Sequence, residues 1–131
     1  MKKILFFLFI CSICYKSNAQ NNDESNAIKK VLEKESTTWR SGDVMGHANC
    51  WAIKPYSRIL VSTGDSAVLD IPGAFIVTPP EGVMGKGGTA VNSNYKMNIS
   101  GSNAWVSHDE ESTAADGRKT FSSEFSSTLT N

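Results

Sequence analysis

The chain is 131 residues long, and its thirteen Lys plus Arg are balanced by thirteen Asp plus Glu, for a formal net charge of zero. The charges are scattered, with Asp109-Glu110-Glu111 the one acidic run, so there is no basic stripe to grip a phosphate backbone and no nucleic acid partner is expected. A chain of this size makes one domain with a single core and little apolar surface to spare.

Residues 1–19 begin with Lys2 and Lys3, run through apolar Ile4 to Ile13, and reach Ser17-Asn18-Ala19 before Gln20. A basic start, a short apolar core and a small residue at the end are what the secretory machinery reads, so residues 1–19 are expected to be a signal peptide and residues 20–131 the mature domain. The apolar run is too short to span a bilayer, so no integral membrane segment is expected after processing. The expected destination is the periplasm or the exterior. Lipoprotein processing fits less well, because bulky Phe9-Ile10 precedes Cys11 and Ile13 precedes Cys14. Removing the leader takes Lys2, Lys3 and Lys16 with it, leaving ten basic against thirteen acidic side chains, and leaves Cys50 as the lone cysteine. An intramolecular disulfide is then impossible, and Cys50 beside Trp51 reads as a small buried hydrophobe.

Asn22 or Asp23 is placed to cap a helix running to about Ser41, with Ile28, Val31, Leu32, Glu35 and Trp39 on one face and Gly42 as its stop. Glu35 is the polar member of that face; the simpler expectation puts it at the margin of the stripe, the alternative aims it into a cavity. Asp43 caps a second, short helix from Val44 to about Ala52, with Val44, Ala48 and Trp51 on one side, and Pro55 ends it. Ser57 to Thr63 reads as a strand that turns at Gly64-Asp65 into Ala67–Ile71, making a hairpin. Pro72-Gly73 interrupts it, and Phe75-Ile76-Val77 is a further short apolar piece closed by Pro79-Pro80.

Glycines 82, 85, 87 and 88 surround Lys86, but no Ser or Thr follows the Gly-Lys pair and a strand rather than a helix comes next. A tight or mobile connection is therefore expected in place of a phosphate cradle. Strands follow near Asn92–Ser100, Asn103–Thr113 and Arg118–Phe125, joined at Gly101-Ser102 and Ala115-Asp116-Gly117, as an antiparallel meander with one buried face. Beyond Phe125 the alternation lapses into a serine-rich tail.

This order of helix, short helix, strands and long meander resembles the NTF2-like superfamily, in particular its small secreted SnoaL-like or DUF4440-type members. The likeness is carried by Ala27 to Trp39 with Gly42-Asp43, Cys50-Trp51-Ala52 with Pro55-Tyr56, Gly85, Val91 to Met97, Gly101 with Asn103-Ala104-Trp105-Val106, and Gly117 to Phe125. The resemblance implies an α+β fold, a cone of N-terminal helices packed on a curved antiparallel sheet around an apolar pocket. Relatives continue past Phe125 into a last strand, so the C-terminus is expected to be truncated. Because such a fold hosts unrelated activities, function has to come from the site itself.

Alternation puts Trp105, Ser107, Asp109 and Glu111 on one face of the middle strand, and Ala104, Val106, His108 and Glu110 on the other. An inward carboxylate or imidazole could be tuned by burial for acid–base work, which makes Asp109 or His108 the candidate general base, depending on which face looks in. Each also fits a plain solvated strand position. Tyr56 could supply a hydroxyl to polarise a carbonyl, or fill space with that hydroxyl at the rim. Trp39, Trp51, Tyr56 and Trp105 are the expected walls of a ligand pocket. His47 lacks partners at ligand spacing, so neither a metal nor a cofactor is expected. Two functions follow: a non-catalytic domain that binds a small apolar or amphipathic molecule or forms a homodimer through its sheet, and an isomerase-like or lyase-like enzyme.

Overall fold

A computed structural model describes residues 2–62, 65 and 67–129, with side chains described within 22–127. The fold is mixed α+β. Helix α1 (Lys2–Ser41) and helix α2 (Val44–Ala48) come first, then strands β1 (Arg58–Ser62) and β2 (Val68–Pro72), helix α3 (Gly73–Val77), and strands β3 (Gly88–Ser100), β4 (Asn103–Ala114) and β5 (Lys119–Leu129). Among these residues the strands form two sheets, an antiparallel β1–β2 pair and an antiparallel β3–β4–β5 meander, in place of one curled sheet. Helix α1 lies on β3 and against α2, while α3 links α2 to the β1–β2 pair. No described helix is long and apolar enough to cross a membrane.

Helix α1 ends where expected. Gly42 takes φ +75°, the Gly42 N–H donates to Trp39 C=O at 3.3 Å and the Asp43 N–H to Thr38 C=O at 3.0 Å, the paired closure that a left-handed residue makes after a last helical turn. Asp43 then caps α2, its carboxylate accepting from Gly46 N–H at 2.8 Å. Three expectations for the helices need correction. The first helix does not begin at Asn22 or Asp23 but continues from Lys2, since neither Gly nor Pro interrupts residues 2–41 and Asn or Asp costs a helix only a fraction of what Pro does. Helix α2 stops at Ala48, not near Ala52. Phe75-Ile76-Val77, expected as a bare apolar piece, belongs to α3, which begins at Gly73 and buries Ile76 to 2% exposure.

The Gly-rich connection is docked on the end of α1. Gly85 N–H donates to Trp39 C=O at 3.0 Å and Gly87 N–H to Arg40 C=O at 2.7 Å, satisfying carbonyls that a helix end leaves open. A Cβ at Gly85 would lie 2.5 Å from the Arg40 carbonyl oxygen. Gly85→Ala is expected to destabilise the fold by about 1–3 kcal/mol through overpacking. The check is a lower urea midpoint at unchanged slope; an unaltered midpoint would mean the connection is loosely held.

The hairpin β1–β2 is in register Ile59↔Ile71, and its predicted turn at Gly64-Asp65 lies partly outside the described residues. In the meander, β3 carries one extra residue between Ser93 and Lys96, with Asn94 at φ +53°. Such a bulge shifts the alternation by one position. Ala90 and Asn92 before it, and Tyr95, Met97 and Ile99 after it, consequently all face α1, opposite the inward Ala104, Val106, His108, Glu110 and Ser112 of β4. Strand β5 does not lapse after Phe125. Its ladder continues through Ser126↔Val106 and Ser127↔Trp105 to Leu129↔Asn103, because backbone pairing does not require apolar side chains.

Candidate functional site

The inner face of β4 is apolar at Ala104 and Val106 and polar from His108 onward. Helix α1 covers it with an equally polar stripe. Ser36 and Arg40, one turn apart, both bond the buried Glu110, the serine hydroxyl donating to Oε2 and the guanidinium pairing with Oε1. Thr38 is buried as well, its hydroxyl returned to the Lys34 and Glu35 carbonyls. Val31, expected on the covered face with Ile28, Leu32, Glu35 and Trp39, is 47% exposed.

Glu35 points into the seam between α1 and α2, not along its margin. Its Oε1 lies 3.4 Å from His47 Nδ1, and the His47 ring is held between Trp39, at 5.1 Å between centroids, and Trp51, at 6.1 Å. Burial, reinforced by the neighbouring Glu124 and Glu110 carboxylates, pushes the Glu35 pKa up to about 7, with Trp51 and Arg40 pulling partly the other way. Burial drives the His47 pKa down, against the lift of the Glu35 and Ile76 backbones. Burial thus favours the uncharged form of both members, a protonated carboxyl beside a neutral imidazole. Alongside, Cys50 donates to Gly46 C=O at 3.3 Å, and burial raises its thiol pKa.

Beyond Glu110 the seam continues to His108, stacked on Tyr95 at 5.4 Å with 17° between planes, and His108 Nε2 lies 3.6 Å from Glu124 of β5. Lys29 of α1 sits 5.1 Å above the Tyr95 ring. Burial raises the Tyr95 pKa, and nearby Asn92 opposes it without closing a well-formed hydrogen bond. Six buried polar atoms among the described residues of this region close no hydrogen bond: Arg40 Nε, His47 Nδ1, Trp51 Nε1, Asn92 Oδ1, Tyr95 OH and His108 Nδ1. Folded proteins leave few such atoms, because each costs about 1–3 kcal/mol when nothing replaces water. Over the bulge the outer surface opens into a depression of about 520 Å³, lined by Asn94, Lys96, Asp109 and Ser123 together with Tyr95 and His108.

Of the residues expected at the site, Trp39 and Trp51 meet around His47, and His108 is the inward member of the strand pair. Asp109 faces outward, its carboxylate accepting from Asn94 at 2.8 Å and Ser123 at 2.7 Å, bonds that hold its pKa below the usual range. Trp105 lies on that outer face, 42% exposed and stacked on Phe125 at 5.7 Å. Tyr56 is 69% exposed and makes no hydrogen bond or ring contact with either candidate base among the described residues. The residues missed are Ser36, Arg40, Tyr95 and Glu110. For Glu110 the signal was present, since it shares the alternation of Val106 and His108. Among the described residues no group of three or more His, Cys, Asp or Glu is arranged to hold a metal ion.

No protein family matches this chain, and neither a curated protein nor a solved structure is detectably similar to it.

Proposed function

We propose that this chain is a secreted or periplasmic NTF2-like domain, cleaved after Ala19, that binds a small amphipathic molecule in the seam between α1 and the β3–β5 sheet. The observation that carries this reading is the set of unpartnered polar atoms there. Tyr95 OH, Asn92 Oδ1 and His108 Nδ1 lie together on the inner face. A polar head group would replace the missing hydrogen bonds, and its apolar part would lie against Val106 and Met97. A second copy would cover the outer face, where Val91, Trp105, Phe121 and Phe125 are exposed.

Decanoate is a suitable probe. It is expected to quench tryptophan fluorescence saturably in a Trp105→Phe background, and Tyr95→Phe is expected to weaken that binding about tenfold by removing one hydrogen bond. Linear, unsaturable quenching would refute the reading.

The titration of Glu35 near neutrality favours a second reading, the isomerase-like or lyase-like enzyme, in which an acid–base group must exchange a proton at working pH. His108 is the general base that shares the interior in that reading, whereas Asp109 and Tyr56 stand outside it.

A further inference from the structure

Among the described residues four strands have an unpaired side, and three of them are blunted. Strands β1 and β2 are five residues each, and β2 ends at Pro72, which has no N–H to offer a neighbour. Strand β3 carries the bulge between Ser93 and Lys96 and lies against α1. Strand β5 has none of these devices. It runs eleven residues without Pro or Gly, its register with β4 is unbroken from Thr113↔Lys119 to Asn103↔Leu129, and β4 is the one described strand paired with it. Every second residue of such an edge turns its N–H and C=O away from the neighbouring strand, which makes a long regular edge a template for another chain. The inward charge of β5, Glu124, is turned to β4, 3.6 Å from His108 Nε2.

We propose that this edge pairs with the same strand of a second copy, antiparallel about a two-fold axis at Ser123, so that the two three-stranded meanders join into one sheet. Opposite residues of an antiparallel pair share a face, so the axis passes through a residue rather than between two. With Ser123 on the axis, Phe121 stands opposite the partner's Phe125 and Phe125 opposite the partner's Phe121. That makes two aromatic pairs on the outer face, where these rings are 73% and 70% exposed. On the inner face Glu124 stands opposite the partner's Ser122, a hydroxyl that can donate to it as Ser122 already does within the strand, at 3.4 Å. Lys119 falls opposite the partner's Ser127, and Lys119 and Arg118 keep their own carboxylates, Glu111 and Asp116. No like charges meet. Moving the axis to Glu124 sets two carboxylates against each other, and moving it to Ser122 sets Phe125 against Lys119. This self-complementarity selects a second copy over a foreign segment. The bulged β3 then ends the joined sheet on both sides, so the contact closes as a dimer instead of running on as a fibre. Edge pairing extends the sheet sideways, is distinct from a copy stacked on the outer face, and stands whether or not a ligand occupies the seam.

The test is disulfide trapping in the full chain with Cys11, Cys14 and Cys50 replaced by Ser. A residue on the axis faces its own copy at about 4.5–5.5 Å between Cα atoms, within reach of a disulfide. Ser123→Cys, which gives up one exposed bond to Asp109, is therefore expected to form cross-linked dimers under mild oxidation. Ser127→Cys shares the outer face but would lie about 27 Å from its copy, and is expected to cross-link at least about tenfold more slowly. In the Ser123→Cys background, Ser122→Glu sets like charges opposite Glu124 and is expected to slow the cross-link about tenfold, whereas Ser122→Lys sets opposite charges there and is expected to preserve it. Residues 122 and 123 are exposed, so these variants spare the fold. A missing cross-link at 123, equal rates at 123 and 127, as stacked faces would give, or equal rates for Glu and Lys at 122 would each overturn the proposal.

Discussion

Glu110→Ala is expected to lower the stability of the folded chain by about 3–5 kcal/mol, the cost of removing one partner from a buried ion pair. The substitution strands the Arg40 guanidinium and leaves the Ser36 hydroxyl without an acceptor, both beneath α1. Because a domain of this size has only about 5–15 kcal/mol in total, that loss takes most of the margin. Glu110→Gln should cost less, since its amide oxygen can still accept from Ser36. The double variant Arg40→Ala with Glu110→Ala should recover part of the loss by removing the stranded cation. Urea titrations of the three variants check this. A single-variant loss below about 1 kcal/mol would place Glu110 in water and remove the central contact of the seam.

The second large effect is a dependence on pH. Glu35 holds its proton to about pH 7 in the fold, whereas it would lose it near 4.5 in the unfolded chain. Its contribution is therefore fully present below about 4.5 and is lost as pH rises through about 7, a change of about 3 kcal/mol in all. His47 acts in the opposite sense. Its pKa is depressed by burial, so its penalty grows as pH falls below 6.5, and over part of the range the two slopes cancel. The difference between the wild type and Glu35→Gln isolates the carboxyl. It is expected to be near zero below about pH 4.5 and to reach about 3 kcal/mol in favour of the variant above about pH 7. A difference independent of pH would mean that Glu35 is ordinarily solvated.

Much of the layout was legible. Gly42 and Asp43 announce the stop of one helix and the cap of the next, and both do so through the backbone and side-chain bonds expected of them. The Gly101 and Gly117 turns delimit the meander, and the alternation of Tyr95, Met97 and Ile99 identifies the buried side of β3 after the bulge. The bulge itself left no mark, because an asparagine at a left-handed position looks like any asparagine in a polar strand. The continuation of β5 was equally silent, because Ser126 and Ser127 pair through their backbones.

The site was harder to see for a different reason. Hydrophobic periodicity finds faces that avoid water, and the covered face of α1 from Glu35 to Arg40 is largely polar. Alternation offered two faces for β4 and could not choose between His108 and Asp109, since both carry a titratable side chain.

The order of helices and strands, the turns between them and the two registers of side chains along β4 are local matters, set by glycine, capping residues and a period of two or of about 3.6. Which side of β4 lies under α1, that Glu35 turns inward to His47, and that Glu110 meets Ser36 and Arg40 from 74 and 70 residues away were decided only when the elements packed. Burial and charge pairing belong to the assembled interior, and a pKa exists there only because distant segments have excluded water from the same place.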